Sequence, residues 1–143
     1  MESISTLTLL FSSAFMAASI LPAQSEILLG SLISKEVYDV YLLIAVASLG
    51  NVLGSVLNYG IGKYLMHFQD HKYFPIKKNL LKKAEDYFHK YDSKILLFAW
   101  APVIGDPLTI IAGAFRTKMW VFLVLVTIGK SIRYSIIALF VLM

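Results

Sequence analysis

The segment APVIGDPL (residues 101–108) places a carboxylate and two prolines in an otherwise apolar part of the chain. The same pattern precedes it by 80 residues, counted from Pro22 to Pro102, in LPAQSE at residues 21–26. An ionisable group in an apolar run is costly and is rarely kept for packing alone, and a proline beside it interrupts the helix. The breaks at Pro22, Pro102 and Pro107 therefore predict two interrupted membrane segments, each built around a buried carboxylate.

The composition places the chain in a membrane. Apolar residues make up 58% of it and charged residues 15%, with a mean hydropathy of +0.72. Residues 3–25 and 40–62 contain no charged side chain, and each stretch is long enough to cross a hydrocarbon core of about 30 Å. The first stretch lacks a basic leader and contains the proline–glutamate break. We therefore interpret it as mature structure rather than as a cleavable signal peptide.

The pattern of apolar and polar residues predicts an all-α polytopic membrane protein with a single domain. Its five segments are a first broken segment (4–35), a transmembrane helix (37–65), a cytoplasmic loop with an amphipathic helix (66–94), a second re-entrant hairpin (95–116) and a last transmembrane helix (119–143). The two arms of the second hairpin are each too short to span the bilayer. That hairpin is therefore expected to reach mid-depth and return. The first broken segment is either a similar hairpin or a full span that ends near its proline.

The two halves of the chain align as a probable inverted repeat. The two breaks correspond, and GNVLG at residues 50–54 matches GKSIR at residues 129–133. If both broken segments are re-entrant, one span separates them, so they enter from opposite faces and meet near the midplane, as in many secondary transporters. A chance resemblance between two apolar, glycine-containing stretches is the alternative.

Most of the 13 basic residues lie on one flank of the predicted spans. These are Lys63, Lys72, Lys77, Lys78, Lys82, Lys83, Lys90, Lys94, Arg116 and Lys118. The positive-inside rule therefore makes the central loop cytoplasmic and puts the C-terminus on the far side. Within that loop an apolar face predicts an interfacial helix that begins near Pro75. The face consists of Ile76, Leu80, Leu81, Ala84, Tyr87, Phe88 and Tyr91. Because membrane segments flank this basic region, a membrane surface is a better partner for it than nucleic acid.

Glu26 and Asp106 are the first candidates for function. Burial in apolar surroundings favours the protonated form of a carboxylate, so each is a candidate proton-coupling group. They could also cap helices, because Asp106 precedes Pro107, a good first helical residue. The two interpretations are compatible.

Lys130 and Arg133 are the second pair of candidates. They lie three positions apart on one face of the last helix, too far from its ends to reach water comfortably. They are expected to face a polar interior. There they either bind a lipid phosphate, for which arginine offers a two-pronged grip, or neutralise the two acids in structural ion pairs.

Asn51 and Asn58 lie two turns apart on one face of the first long helix, with Gly50 and Gly54 on or beside that face. Small residues allow close helix contact and asparagine hydrogen-bonds across it. We favour helix packing over cavity lining, and a homodimer is plausible for so small a membrane protein.

The sequence gives no positive support for an enzyme, a cofactor or a metal site. It contains no cysteine, and its histidines all lie in the basic central region: His67, His71 and His89. Neither a phosphate-binding loop nor a nucleophile or zinc-protease motif is present.

Taken together, these motifs resemble the DedA family, also called the SNARE-associated or VTT-domain family, and in particular its small YqaA-like branch. The motifs are LPxxSE (21–26), GNxLGxxxNYxIG (50–62), WxPxxGDP (100–107), AGxxR (112–116) and GKxxRY (129–134). The resemblance implies a bacterial inner-membrane protein with two opposed re-entrant hairpins. It also implies a proton-linked transporter or scramblase that moves a phosphate-bearing lipid, such as a phospholipid or a polyprenyl phosphate, and supports the cell envelope.

The resemblance also assigns residues. Glu26 takes the place of the family's first-hairpin acid, and Arg116, which follows the Ala-Gly of the second hairpin, becomes a third candidate for phosphate. Larger members carry an arginine, a candidate phosphate ligand, where this chain has Gly105 and Asp106, so the resemblance does not carry that ligand over to this chain. Two other functions remain open: a structural or accessory membrane protein whose charges only stabilise the hairpins, and a carrier of a small solute or ion.

Overall fold

A computed structural model describes residues 2–18, 24–68, 78–101 and 105–143, all of whose elements are helical. The α-helices are α1 (Glu2–Ala17), α2 (Gln24–Ser34), α3 (Val40–Leu65), α4 (Lys78–Tyr91), α5 (Gly105–Ala114) and α6 (Met119–Leu142). Two 3₁₀ segments, Met66–Phe68 and Asp92–Trp100, follow α3 and α4.

The helices predicted within residues 37–65 and 119–143 are present as α3 and α6. Both are long and apolar enough to cross a membrane, judged by length and composition. The Asp39 side chain accepts a hydrogen bond from the Tyr41 amide at 2.8 Å and caps the start of α3, as expected for an N-cap aspartate.

Helix α1 lies against α3 at backbone distance. A β-carbon added to Gly50 or Gly54 would come 2.5 Å from the carbonyl oxygen of Phe11 or Phe15. The contacts advance together along both helices, so α1 and α3 run parallel. Helix α2 reverses the chain between them.

Helix α5 makes a second close contact with α3. A β-carbon on Gly62 would collide with the Ile110 carbonyl oxygen, and one on Gly113 would collide with the Tyr59 carbonyl oxygen. Small residues thus bring a different helix against each half of α3, which is how apolar helices associate in the absence of a hydrophobic driving force.

Two buried clusters fill the bundle. The first joins α1, α2, α3 and α6, and its members include Leu10, Leu29, Leu43 and Tyr134. The second joins α3, α4, α5, α6 and the Asp92–Trp100 segment, and its members include Val52, Phe88, Leu96 and Phe122. Because α3 and α6 pass through both clusters, they hold the two halves of the chain together.

The structure differs from the sequence prediction at both breaks. Helix α2 begins at Gln24 and α5 begins at Gly105, so Glu26 and Asp106 lie inside the first turn of their helices rather than before it. The second interpretation of these acids, as caps of helices that begin after them, is therefore wrong. Their side chains bind bases on α6 instead.

The arm before the second break also differs from the prediction. It is a 3₁₀ segment, Asp92–Trp100, that continues directly from α4. Because a 3₁₀-helix rises about 2 Å per residue, this arm reaches further into the bundle than an α-helix of equal length. The predicted amphipathic helix is α4, whose Phe88 is buried while Tyr87 is exposed. Its predicted start near Pro75, and the prolines at 22 and 102, lie outside the described residues.

Candidate functional site at the middle of the last helix

The candidate site is built around two basic side chains on α6. Lys130 and Arg133 lie near the middle of that helix and are 0% and 8% exposed. A bare charge is costly in such surroundings unless it is paired. Each of the two bases meets one of the acids that the sequence singled out.

Arg133 pairs with the acid of the first half. Its Nη2 donates a hydrogen bond to Oε1 of Glu26, which lies in the first turn of α2. The carboxylate is half-buried, because 30% of the Glu26 side chain remains exposed.

Lys130 pairs with the acid of the second half. Its Nζ lies 2.6 Å from Oδ1 of Asp106, in the first turn of α5. The Asp106 side chain is 17% exposed. One turn of α6 therefore carries one base for each broken segment. The acids in the first turns of α2 and α5 both contact that turn.

A hydroxyl network surrounds the Glu26–Arg133 pair. The Tyr134 hydroxyl lies 3.0 Å from Ser25 Oγ and accepts a hydrogen bond of 3.1 Å from Asn51 Nδ2. Asn51 Nδ2 also donates to the Ala14 carbonyl at 3.0 Å. These buried contacts join α1, α2, α3 and α6 at one point.

A second network reaches the Asp106–Lys130 pair. Asn58 Nδ2 donates to the Ala18 carbonyl at 2.7 Å and to Thr109 Oγ1 at 3.1 Å. Thr109 in turn donates to the Asp106 carbonyl at 2.6 Å. Each asparagine of α3 thus connects α1 to the surroundings of one ion pair, so both act as interhelical ties.

The structure does not bring all the predicted phosphate ligands together. Arg116 is exposed on the connection between α5 and α6, whereas Lys130 and Arg133 are buried at the middle of α6. The prediction also missed the roles of Ser25, Thr109 and Tyr134. A usable signal was present, because each is a polar side chain next to, or three positions from, a predicted charge in an apolar run.

The site consists of two ion pairs, each of which protonation of its acid would break. If an acid takes up a proton, its base loses an opposite charge in a low-dielectric setting, where that loss is expensive. Because the bases share one turn of α6, a movement of this helix alters both contacts. The described residues contain no group of three or more potential metal ligands among histidine, cysteine, aspartate and glutamate.

Comparisons with known proteins match most of the length of this chain. The VTT domain profile matches residues 11–143. The inner membrane protein YqaA of Escherichia coli K12 is 30% identical over 131 residues, covering 90% of this chain and 86% of that protein. An uncharacterised protein of Haemophilus influenzae is 33% identical over 139 residues, covering 90% of this chain and 83% of that protein. No solved structure matches significantly.

Proposed function

Because this chain belongs to the VTT-domain, or DedA, family of membrane proteins, we propose that it moves a phosphate-bearing lipid between the leaflets of the bacterial inner membrane, in a cycle linked to proton uptake. The single observation that carries the proposal is the convergence of Glu26 and Asp106 on two bases in one turn of α6. An inner-membrane location follows the relative named YqaA.

The proposal includes a topology in which both broken segments are re-entrant and enter from opposite faces. Helix α2 has 11 residues and α5 has 10, so each rises about 15–16 Å and covers half of the hydrocarbon core. Each carries in its first turn an acid that contacts the middle of α6. This placement supports two hairpins whose inner ends meet near the midplane, where non-helical backbone is tolerated if protein covers it.

Proton uptake would drive the exchange of partners. Protonation of Glu26 frees the guanidinium of Arg133 to hold a lipid phosphate, which it can bind through two parallel hydrogen bonds. Release of the proton on the other side restores the ion pair and expels the phosphate. The acid and the phosphate therefore compete for the same base, which couples the two movements.

The test is translocation of a fluorescent phospholipid by the purified protein in liposomes with a pH gradient. Glu26→Gln and Asp106→Asn should each slow translocation by about tenfold or more, since a loss of this size corresponds to about 1.4 kcal/mol in the barrier. Glu36→Gln is the matched control, because Glu36 is an exposed acid on the connection between α2 and α3. Translocation at the unaltered rate in both site variants would contradict the proposal.

A structural role is the second candidate, because both buried bases already have acidic partners. In that case the charges stabilise the bundle and carry no lipid. The exchanged variant Glu26→Arg/Arg133→Glu separates the two functions. If the pair is structural, the exchanged variant should fold like the parent protein and translocate lipid at the parent rate. The transport cycle requires the acid and the base in their original places, so in that case the exchanged variant should fold but lose translocation.

A further inference from the structure

A cavity separate from the ion pairs opens on the basic flank of the molecule. It has a volume of about 620 Å³ and lies where α4, the Asp92–Trp100 segment and the α5–α6 connection meet. Its lining includes Phe88, Lys94, Arg116, Thr117, Lys118 and Trp120. None of the four residues of the two ion pairs lines it.

The cavity has an excess of positive charge. Lys94, Arg116 and Lys118 all line it, and its described lining residues include no acidic side chain. Among the residues that the structure describes, no ion pair uses any of these three bases. Two bases from the α5–α6 connection and one from the Asp92–Trp100 segment create an attractive site for an anion.

Arg116 occupies an unusual backbone conformation in the cavity wall. Its φ is 54°, in the left-handed region that glycine usually takes at the end of a helix. Its amide donates to the Gly113 carbonyl at 3.1 Å, and the Thr117 amide donates to the Ala112 carbonyl at 3.0 Å, which closes α5. Glu36, which follows α2, has the same conformation with a φ of 53°, so this backbone is a helix-closing feature that orients Arg116 in the cavity wall.

Thr117 fixes the turn that forms one wall of the cavity. It is 8% exposed and lines the cavity, and its hydroxyl is buried with no hydrogen-bond partner in the described part of the chain. Its carbonyl is held by the Tyr59 hydroxyl at 2.5 Å, which fixes the turn. Because this hydroxyl is closed off from the cavity, the groups that can bind an anion there are the bases.

The remaining walls suit the depth of lipid headgroups. The Phe88 and Phe115 rings lie 5.4 Å apart, and Trp120, at the start of α6, is 67% exposed. Exposed tryptophan beside bases at the end of a spanning helix is typical of the membrane–water interface. The positive-inside rule assigns this flank to the cytoplasm.

We propose that this cavity binds the phosphate of an anionic phospholipid in the cytoplasmic leaflet, with Arg116 and Lys118 as charged ligands and Lys94 as a third base in the lining. The binding site stands independently. Only its role, as the place where the lipid waits before translocation, rests on the proposed function.

Tryptophan fluorescence offers a local readout of binding. The chain has two tryptophans, so Trp100→Phe leaves Trp120, in the cavity wall, as the single reporter. In vesicles, lipids with brominated chains should quench the fluorescence of Trp120 when they bind in the cavity. The apparent association constant should be about fivefold or more higher for brominated phosphatidylglycerol than for brominated phosphatidylcholine, as expected for one or two interfacial bases. Arg116→Gly/Lys118→Gln should reduce this preference to about one, while Lys35→Gln, a base on the opposite flank, should leave it unchanged.

The glycine variant keeps the test independent of folding. Arg116→Gly suits the left-handed backbone, so it should melt no lower than the parent protein while it loses lipid preference. Millimolar inorganic phosphate should leave the preference intact. Complete loss of preference in phosphate would instead indicate a free phosphate site and overturn the lipid proposal.

Two outcomes distinguish this inference from the proposed function. Glu26→Gln should keep the phosphatidylglycerol preference while it loses translocation. If the parent protein translocates no lipid but retains the preference, the proposed transport function would be refuted and the cavity site would stand. An equal preference in the parent and in Arg116→Gly/Lys118→Gln would refute the cavity site.

Discussion

Asp106 and Lys130 lie deeper in the bundle than Glu26 and Arg133, although both pairs occupy the same turn of α6. The Lys130 side chain is 0% exposed and Asp106 is 17% exposed, against 8% for Arg133 and 30% for Glu26. The base also differs, because lysine presents a compact charge while arginine presents a planar fork that fits phosphate.

This difference suggests a division of labour. A deeply buried pair is expensive to open, since the freed charge has no water to replace its partner. The shallower pair combines an acid that protons can reach with a base that suits a phosphate. We therefore expect Asp106–Lys130 to act mainly as an anchor and Glu26–Arg133 to be the pair that opens.

The largest effect should follow loss of the deeper acid. Asp106→Asn leaves the Lys130 ammonium buried without an opposite charge, so the free energy of unfolding in detergent should fall by about 3–5 kcal/mol. Chemical denaturation of the purified protein measures this fall.

The double variant Asp106→Asn/Lys130→Met is the control for that loss. It removes both charges and keeps an unbranched side chain of similar length at position 130, so most of the stability should return. If the double variant is as unstable as Asp106→Asn alone, the buried charge is not the cause.

The next largest loss of stability should come from glycines that pack closely against a neighbouring helix. The loss should be larger at the contact of α3 with α5 than at its contact with α1. Gly62→Ala forces a methyl group into the Ile110 carbonyl of α5, and overpacking of this kind costs about 1–3 kcal/mol. Gly50→Ala, whose β-carbon would lie 2.5 Å from the Phe11 carbonyl, should cost less. Thermal unfolding of both variants ranks the two contacts.

Gly60→Ala is the matched control for these substitutions. A β-carbon at Gly60 meets nothing within 4 Å, so this variant should be about 0.5–1 kcal/mol more stable through helix propensity. Equal losses at Gly60 and Gly62 would show that contact with α5 is not the cause of the loss at Gly62.

Loss of the shallower acid should affect function more than stability. Glu26→Gln keeps a hydrogen-bond acceptor for Arg133 in a half-exposed place, so unfolding should become easier by about 1–2 kcal/mol, less than for Asp106→Asn. Translocation, measured in the same preparation, should nevertheless fall by about tenfold. Equal destabilisation by Glu26→Gln and Asp106→Asn would contradict the division between anchor and opening pair.

Much of this arrangement could be predicted from the sequence, because intramembrane charges are rare and have few possible partners. Glu26, Asp106, Lys130 and Arg133 stand out in apolar runs, and burial forces them to pair. The sequence could not assign which acid meets which base, since Lys130 and Arg133 are one turn apart and either arrangement satisfies both charges.

Local backbone chemistry was harder to predict. The rule that aspartate before proline caps a helix failed at Asp106, because a buried ammonium competes for the same carboxylate and a charged contact is stronger than a cap. Likewise, nothing in the local sequence marks Arg116 as left-handed. Its conformation belongs to the capping hydrogen bonds that close α5, in which the Arg116 and Thr117 amides donate to the Gly113 and Ala112 carbonyls.

The smallest effect should come from the hydroxyl network beside the shallower pair. Tyr134→Phe removes one hydroxyl and leaves Ser25 Oγ and Asn51 Nδ2 without that contact. Asn51 retains the Ala14 carbonyl, so the loss should be about 1 kcal/mol. Thr109→Val, the equivalent change beside the deeper pair, should cost slightly more, because it also removes the hydrogen bond to the Asp106 carbonyl. If Tyr134→Phe were the more costly of the two by denaturation, the first half would be the rigid one and the roles of the two ion pairs would be reversed.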